Sequence, residues 1–152
     1  MLELDPRSAA FWIPVAVSVG CGLVIGLERQ LRGKVVGVRT SILVCMSTAL
    51  FVQLGQSLAG PAADPSRVVG QVVTGVGFLG AGVILARGTQ LIGVTTAAVI
   101  WMLAAIGSTI GFGYYLAALT LTGVATLVLV GGDGIEILLR RLTGRDAPAQ
   151  EE

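Results

Sequence analysis

Four stretches of the chain carry no Asp, Glu, Lys or Arg: 8–27, 40–63, 68–86 and 88–132. A helix needs about 20 apolar residues to cross a bilayer, so the first three each hold one span and the fourth holds two. The fourth divides at Gly111-Phe112-Gly113-Tyr114-Tyr115, a glycine and aromatic break suited to a tight turn at a membrane interface. The pattern predicts helices over 9–27, 41–60, 68–86, 93–111 and 115–132. The fold class is all-α: an integral membrane five-helix bundle over 1–132, followed by a short tail over 133–152. In the tail, Ile135, Leu138, Leu139 and Leu142 recur at helical spacing, which either extends the fifth helix or lays the segment on the membrane surface. Residues 144–152 read as disordered from their composition.

Composition agrees. Charged residues make up 12% of the chain, hydrophobic residues 54%, and mean hydropathy is +0.87. A water-soluble domain carries about 25% charged residues. The leader before the first helix holds Glu3, Asp5 and Arg7, the wrong charge for a cleaved signal peptide, so the first helix reads as a retained span. Net charge is +1, which gives no electrostatic case for nucleic acid.

Basic residues set the expected orientation. Arg29, Arg32, Lys34 and Arg39 lie between the first two helices, Arg87 follows the third, and Arg140, Arg141 and Arg145 lie in the tail. With five alternating helices, all fall on one side, and only Arg7 and Arg67 on the other. The basic side is expected to be cytoplasmic, with the N-terminus outside and the C-terminus inside. Trp12, Tyr114 and Tyr115 then sit near the outer interface, where amphipathic rings are favoured.

The segment Gly75-Val76-Gly77-Phe78-Leu79-Gly80-Ala81-Gly82 matches the G-x-G-x-x-G dinucleotide fingerprint. That fingerprint requires a preceding strand and an acid about 20 residues on. Here the glycines lie mid-span, and no acid appears before Asp133. Helix packing explains them better. Gly70, Thr74, Gly77 and Ala81 share one helical face, and small residues let helix backbones approach closely in lipid. Ser18, Gly22 and Gly26 repeat the pattern in the first helix; Ala97, Ala104 and Ser108, with Gly107 and Gly111, repeat it in the fourth. Gly22, Gly26, Gly70, Gly75, Gly77, Gly80 and Gly82 are the packing candidates, and one such face is expected to serve a homo-oligomer.

Polar residues near or within the spans are the functional candidates. Glu28 ends the first helix beside Arg29 and Gln30, with Arg39 ahead. A carboxylate at that depth needs a partner. It is either a salt bridge that pins the helix end, to Arg29, Arg39 or Arg87, or a contact for a cation, a proton or another protein. Gln53 and Gln71 are interhelical glue or the lining of a polar path. Thr95 and Thr96 are expected to cap the fourth helix, and they complete the candidate path. Cys21 and Cys45, without C-x-x-C spacing, read as small packing residues. The absence of His, of paired carboxylates and of a P-loop argues against an enzyme and against a bound cofactor. A single acid at a helix end is also thin support for a magnesium pore.

In order along the chain stand Gly26-Leu27-Glu28-Arg29-Gln30, Gly37-Val38-Arg39-Thr40, Asp64-Pro65-Ser66-Arg67-Val68, the glycine-rich segment 75–82, Gly93-Val94-Thr95-Thr96-Ala97-Ala98, Trp101 and Ala104-Ala105-Ile106-Gly107. Together they resemble the membrane domain of the MgtC/SapB family of bacterial inner-membrane proteins, over about 10–131. The resemblance implies a five-helix bundle and a link to growth under magnesium limitation and, in pathogens, to survival inside host cells. It also implies action on another membrane protein, such as the proton-translocating ATP synthase or a cation transporter, rather than magnesium carriage. Longer members carry a soluble domain after the fifth helix, so its activity is not expected in residues 1–152.

Overall fold

The computed structural model describes residues 5–58, 64–87 and 90–143, with the side chains at 65, 85–91 and 133–143 excepted. The architecture is a helical bundle in the order α1 (Ala9–Leu31), α2 (Val38–Leu58), α3 (Pro65–Gly82), a two-stranded hairpin of β1 (Leu85–Arg87) and β2 (Gln90–Ile92), α4 (Val94–Gly111) and α5 (Tyr115–Thr143). The expected disorder at 144–152 lies outside the described residues.

Helix α1 overruns its predicted end at residue 27 and carries Glu28, Arg29 and Gln30 on its last turn. It stops where Gly33 adopts a left-handed φ of 64°, with Gly33 N donating to Gln30 O and Lys34 N to Arg29 O. Helix α5 runs on to Thr143 and so takes up the first part of the predicted tail. The hairpin was not foreseen. It pairs Leu85 with Ile92 and Arg87 with Gln90 in antiparallel register.

Among the described residues, four helices, α1, α2, α4 and the Tyr115–Gly132 part of α5, are long and apolar enough to cross a membrane. Helix α3, predicted as a fifth span, is not among them. It is as long as α4, and what sets it apart is composition: Ser66, Arg67, five glycines, Gln71 and Thr74 lower its hydropathy.

Helix α2 lies at the centre, and glycines bring its neighbours to backbone contact. A Cβ added at Gly22 of α1 would lie 2.5 Å from Ile42 Cα, and one at Gly26 2.6 Å from Val38 Cα. On the other side, a Cβ at Gly107 of α4 would strike Cys45 O, and one at Gly111 would lie 2.6 Å from Val52 Cβ. Cys21, Ile25, Cys45, Ala49, Leu103, Ile106 and Ile110 fill the core between these helices, and both cysteines are free. Helix α5 closes this core through Ala118 and Ala125. Helix α3 stands at the edge, buried mainly through Val76 against Ile100, Ala104 and Val36.

Asp64 caps α3, its Oδ1 accepting the Ser66 N–H at 2.9 Å. Hydrogen bonds from Ser66, first its side chain and then its backbone, hold the Asp64 carboxyl below the usual aspartate range. A depressed folded pKa contributes stability above the unfolded value of about 4, and that contribution is lost as pH falls through the folded value. Protection of the Ser66 amide against hydrogen exchange is therefore expected to fall in acid for the wild type and to stay flat for Asp64→Asn. Equal acid sensitivity in both proteins would rule out the cap as its source.

Candidate functional site

The end of the bundle where α1 finishes and α2 and α4 begin gathers most of the charged side chains among the described residues. Once α1 extends past residue 27, Glu28 and Arg32 stand one turn apart on it. Arg32 Nε lies 2.5 Å from Glu28 Oε1, with the side chains 26% and 8% exposed. The pair is electrostatic: neither carboxylate oxygen receives an aligned hydrogen bond. Of the partners expected for Glu28, Arg29 turns elsewhere, Arg39 is exposed at the start of α2, and the Arg87 side chain lies outside the described residues.

Arg29 is only 4% exposed. Its Nη2 donates to Thr96 Oγ1 on the first turn of α4 at 3.1 Å, while its Nε has no acceptor. Gln30 reaches the other way. Its Oε1 accepts the Val38 N–H at 3.3 Å, which serves the open start of α2. A Cβ at Gly37 would lie 3.1 Å from that oxygen, so the glycine leaves room for the amide. The three consecutive residues Glu28, Arg29 and Gln30 thus point to three different neighbours.

The other candidates scatter. Thr95 is exposed, and neither threonine caps α4; the N-cap is Gly93, and no side chain bonds there. Gln53 is buried on α2, whereas Gln71 is exposed on α3. Besides Gln30, an amide missed from sequence bridges helices: Gln56, whose Nε2 donates to Gly111 O at 2.9 Å. Among the described residues, no three His, Cys, Asp or Glu side chains gather to hold a metal ion.

The glycine candidates divide into two classes. Gly22 and Gly26 face α2, and Gly80 faces Trp101, whose Cδ1 would lie 3.5 Å from an added Cβ. Gly70, Gly75, Gly77 and Gly82 meet nothing within 4 Å. On α3, the exposed residues Gln71, Thr74, Gly75, Phe78, Ala81 and Gly82 recur in steps of three and four, which makes one continuous uncovered seam. Phe78 on it is 81% exposed. Beside the seam, a groove of about 530 Å³ opens between α2 and α3, lined by Ser47, Thr48 and Phe51 on one side and Gln71, Val72, Gly75 and Leu79 on the other.

The MgtC family model matches residues 15–137. The chain is 49% identical over 108 residues to YhiD of Escherichia coli K12, which is provisionally named a magnesium transporter; the match covers 66% of this chain and 50% of that protein. It is 38% identical over 138 residues to protein MgtC of Brucella abortus, covering 86% of this chain and 55% of the relative. With protein MgtC of Salmonella typhimurium it shares 39% identity over 124 residues, covering 82% and 50%. The chain thus spans about half the length of the curated relatives it matches. No solved structure matches it.

Proposed function

We infer the function from one premise: the chain belongs to the MgtC family. It is a membrane protein by its four apolar helices, and we read it as a protein of the bacterial inner membrane that serves magnesium homeostasis by regulating another membrane protein. The basic end of the bundle then faces the cytoplasm.

The observation that supports regulation by docking is the uncovered seam of α3. Elsewhere in the bundle, Gly22, Gly26, Gly107 and Gly111 are consumed by internal contacts. Gly70, Gly75, Gly77 and Gly82 of α3 are not, and they sit with an exposed amide on a helix that is not among the apolar spans. In a bilayer, small residues and a polar amide are covered by another helix rather than by acyl chains. The partner is a second copy of the chain or a neighbouring membrane protein; a cation transporter and the proton-translocating ATP synthase are the partners the family resemblance suggests.

Gly75→Leu tests this reading. A Cβ there meets nothing within 4 Å, so the variant is expected to insert and melt like the wild type yet fail to support growth of a deletion strain at limiting magnesium. Growth equal to the wild type would sink the docking reading.

The name of the Escherichia coli relative favours a second reading, magnesium transport. Magnesium entry into proteoliposomes that Glu28→Gln abolishes would establish it. No entry with well-inserted protein would leave regulation.

A further inference from the structure

The first turn of α4 holds an electrostatic misfit. Gly93 is its N-cap, with no side-chain bond, and the first helical hydrogen bond runs from Ala97 N to Gly93 O at 2.9 Å. The amides of Val94, Thr95 and Thr96 therefore have no helical acceptor. They form the positive end of the helix dipole, equivalent to about half an elementary charge. Against this end the fold places a second positive charge, the Arg29 guanidinium, 4% exposed and bonded to Thr96 Oγ1. A cation is favoured at a helix C-terminus and disfavoured at an N-terminus.

No hydrogen bond to Arg29 Nε among the described residues corrects the misfit; the Glu28 carboxylate offsets the Arg29 charge only across space. Arg29 Nε is buried and donates to no acceptor. Glu28, the adjacent acid, is engaged with Arg32 and gives Arg29 no hydrogen bond. The Thr96 hydroxyl accepts from Arg29, so its own hydrogen remains to be donated. Guanidinium, hydroxyl and backbone amides are all donors; the Val83 carbonyl packs against Gly93 behind them, and Arg29 Nε donates to no acceptor. The exposed neighbours Val94 and Thr95 keep the turn open to the surface, while Arg29 and Thr96 form its floor.

We propose that Arg29, the Thr96 hydroxyl and the first-turn amides of α4 bind a phosphate group. A phosphate presents several acceptor oxygens to a helix N-terminus and matches the fork of a guanidinium. Two sources share this chemistry: the headgroup of an anionic phospholipid and free inorganic phosphate. Depth bears on the first. Helix α4 has 18 residues, about 27 Å, which is close to the hydrocarbon thickness and sets its first turn near the headgroups. The site is independent of the docking seam on α3.

The test uses the whole protein, purified in detergent and stripped of lipid. Phosphatidylglycerol is titrated by native mass spectrometry, alone and in competition with inorganic phosphate. Thr96→Val removes the hydroxyl and keeps Arg29 and the amides, and Arg29→Lys removes the fork and keeps the charge. Each is expected to weaken binding about tenfold, the effect of one charge-assisted hydrogen bond. Thr96→Ser, which restores the hydroxyl, is expected to bind like the wild type and guards against a merely structural effect. Lipid binding that inorganic phosphate does not displace assigns the site to a headgroup; displacement assigns it to free phosphate. Binding that is absent, or equal in the wild type, Thr96→Val and Arg29→Lys, overturns the proposal for both sources.

Discussion

Gly22→Leu is expected to prevent the bundle from assembling. The atoms that a Cβ would meet there are Ile42 Cα at 2.5 Å, Ile42 N at 2.8 Å and the Ser41 carbonyl carbon at 2.9 Å. All three are backbone, so no rotamer change relieves the contact. Overpacking a core costs roughly 1–3 kcal/mol where side chains can shift. Here α1 and α2 must separate, which also opens the seat of Cys21, Ile25 and Cys45. The expected loss lies at or beyond the upper end of that range. Thermal unfolding in detergent, with a monodisperse wild type as reference, measures it. A wild-type melting temperature for Gly22→Leu would mean that α1 and α2 are not in backbone contact.

Gly93→Ala is expected to be nearly as damaging, for two reasons that add. Gly93 holds φ +94° between the hairpin and α4, a region that costs other L-residues about 1–2 kcal/mol. Its Cβ would also strike Val83 O at the end of α3. The methyl group thus cannot be seated without moving α3 away from the start of α4. The expected outcome is a lower melting temperature than for Gly82→Ala, where a Cβ meets nothing within 4 Å. Equal melting of the two variants would show that the close passage of Val83 and Gly93 carries no energetic weight.

The spans could be read from the sequence because uncharged runs of about 20 residues have one common use in a bilayer. Their ends could not. Glu28, Arg29 and Gln30 look like a loop because they are charged or polar, yet each finds a neighbour that lets α1 continue to Leu31. Had the helix been extended, the one-turn spacing of Glu28 and Arg32 would have named the pair. The hairpin strands, Leu85–Arg87 and Gln90–Ile92, are three residues each, too short for any periodicity to show. The glycines were recognisable as small-residue faces, but not as two classes. Whether Gly22 or Gly77 has a helix opposite it depends on topology, and the two have the same local sequence pattern. The same limit let Gln53 stand out while Gln56, one turn on, makes an interhelical bond.

The edge position of α3 bears on biogenesis. Chains emerge from the ribosome in order, so α3 enters the membrane before α4 is made. By then α1 and α2 can already lock through Gly22 and Gly26, but the helix that gives α3 its main seat, through Ile100 and Ala104, is still missing. Helix α3 is not apolar enough to count among the spans by itself, so it is expected to stay at the translocon until α4 arrives. The arrival of α4 then supplies in one step the second wall of α2 and the main seat of α3.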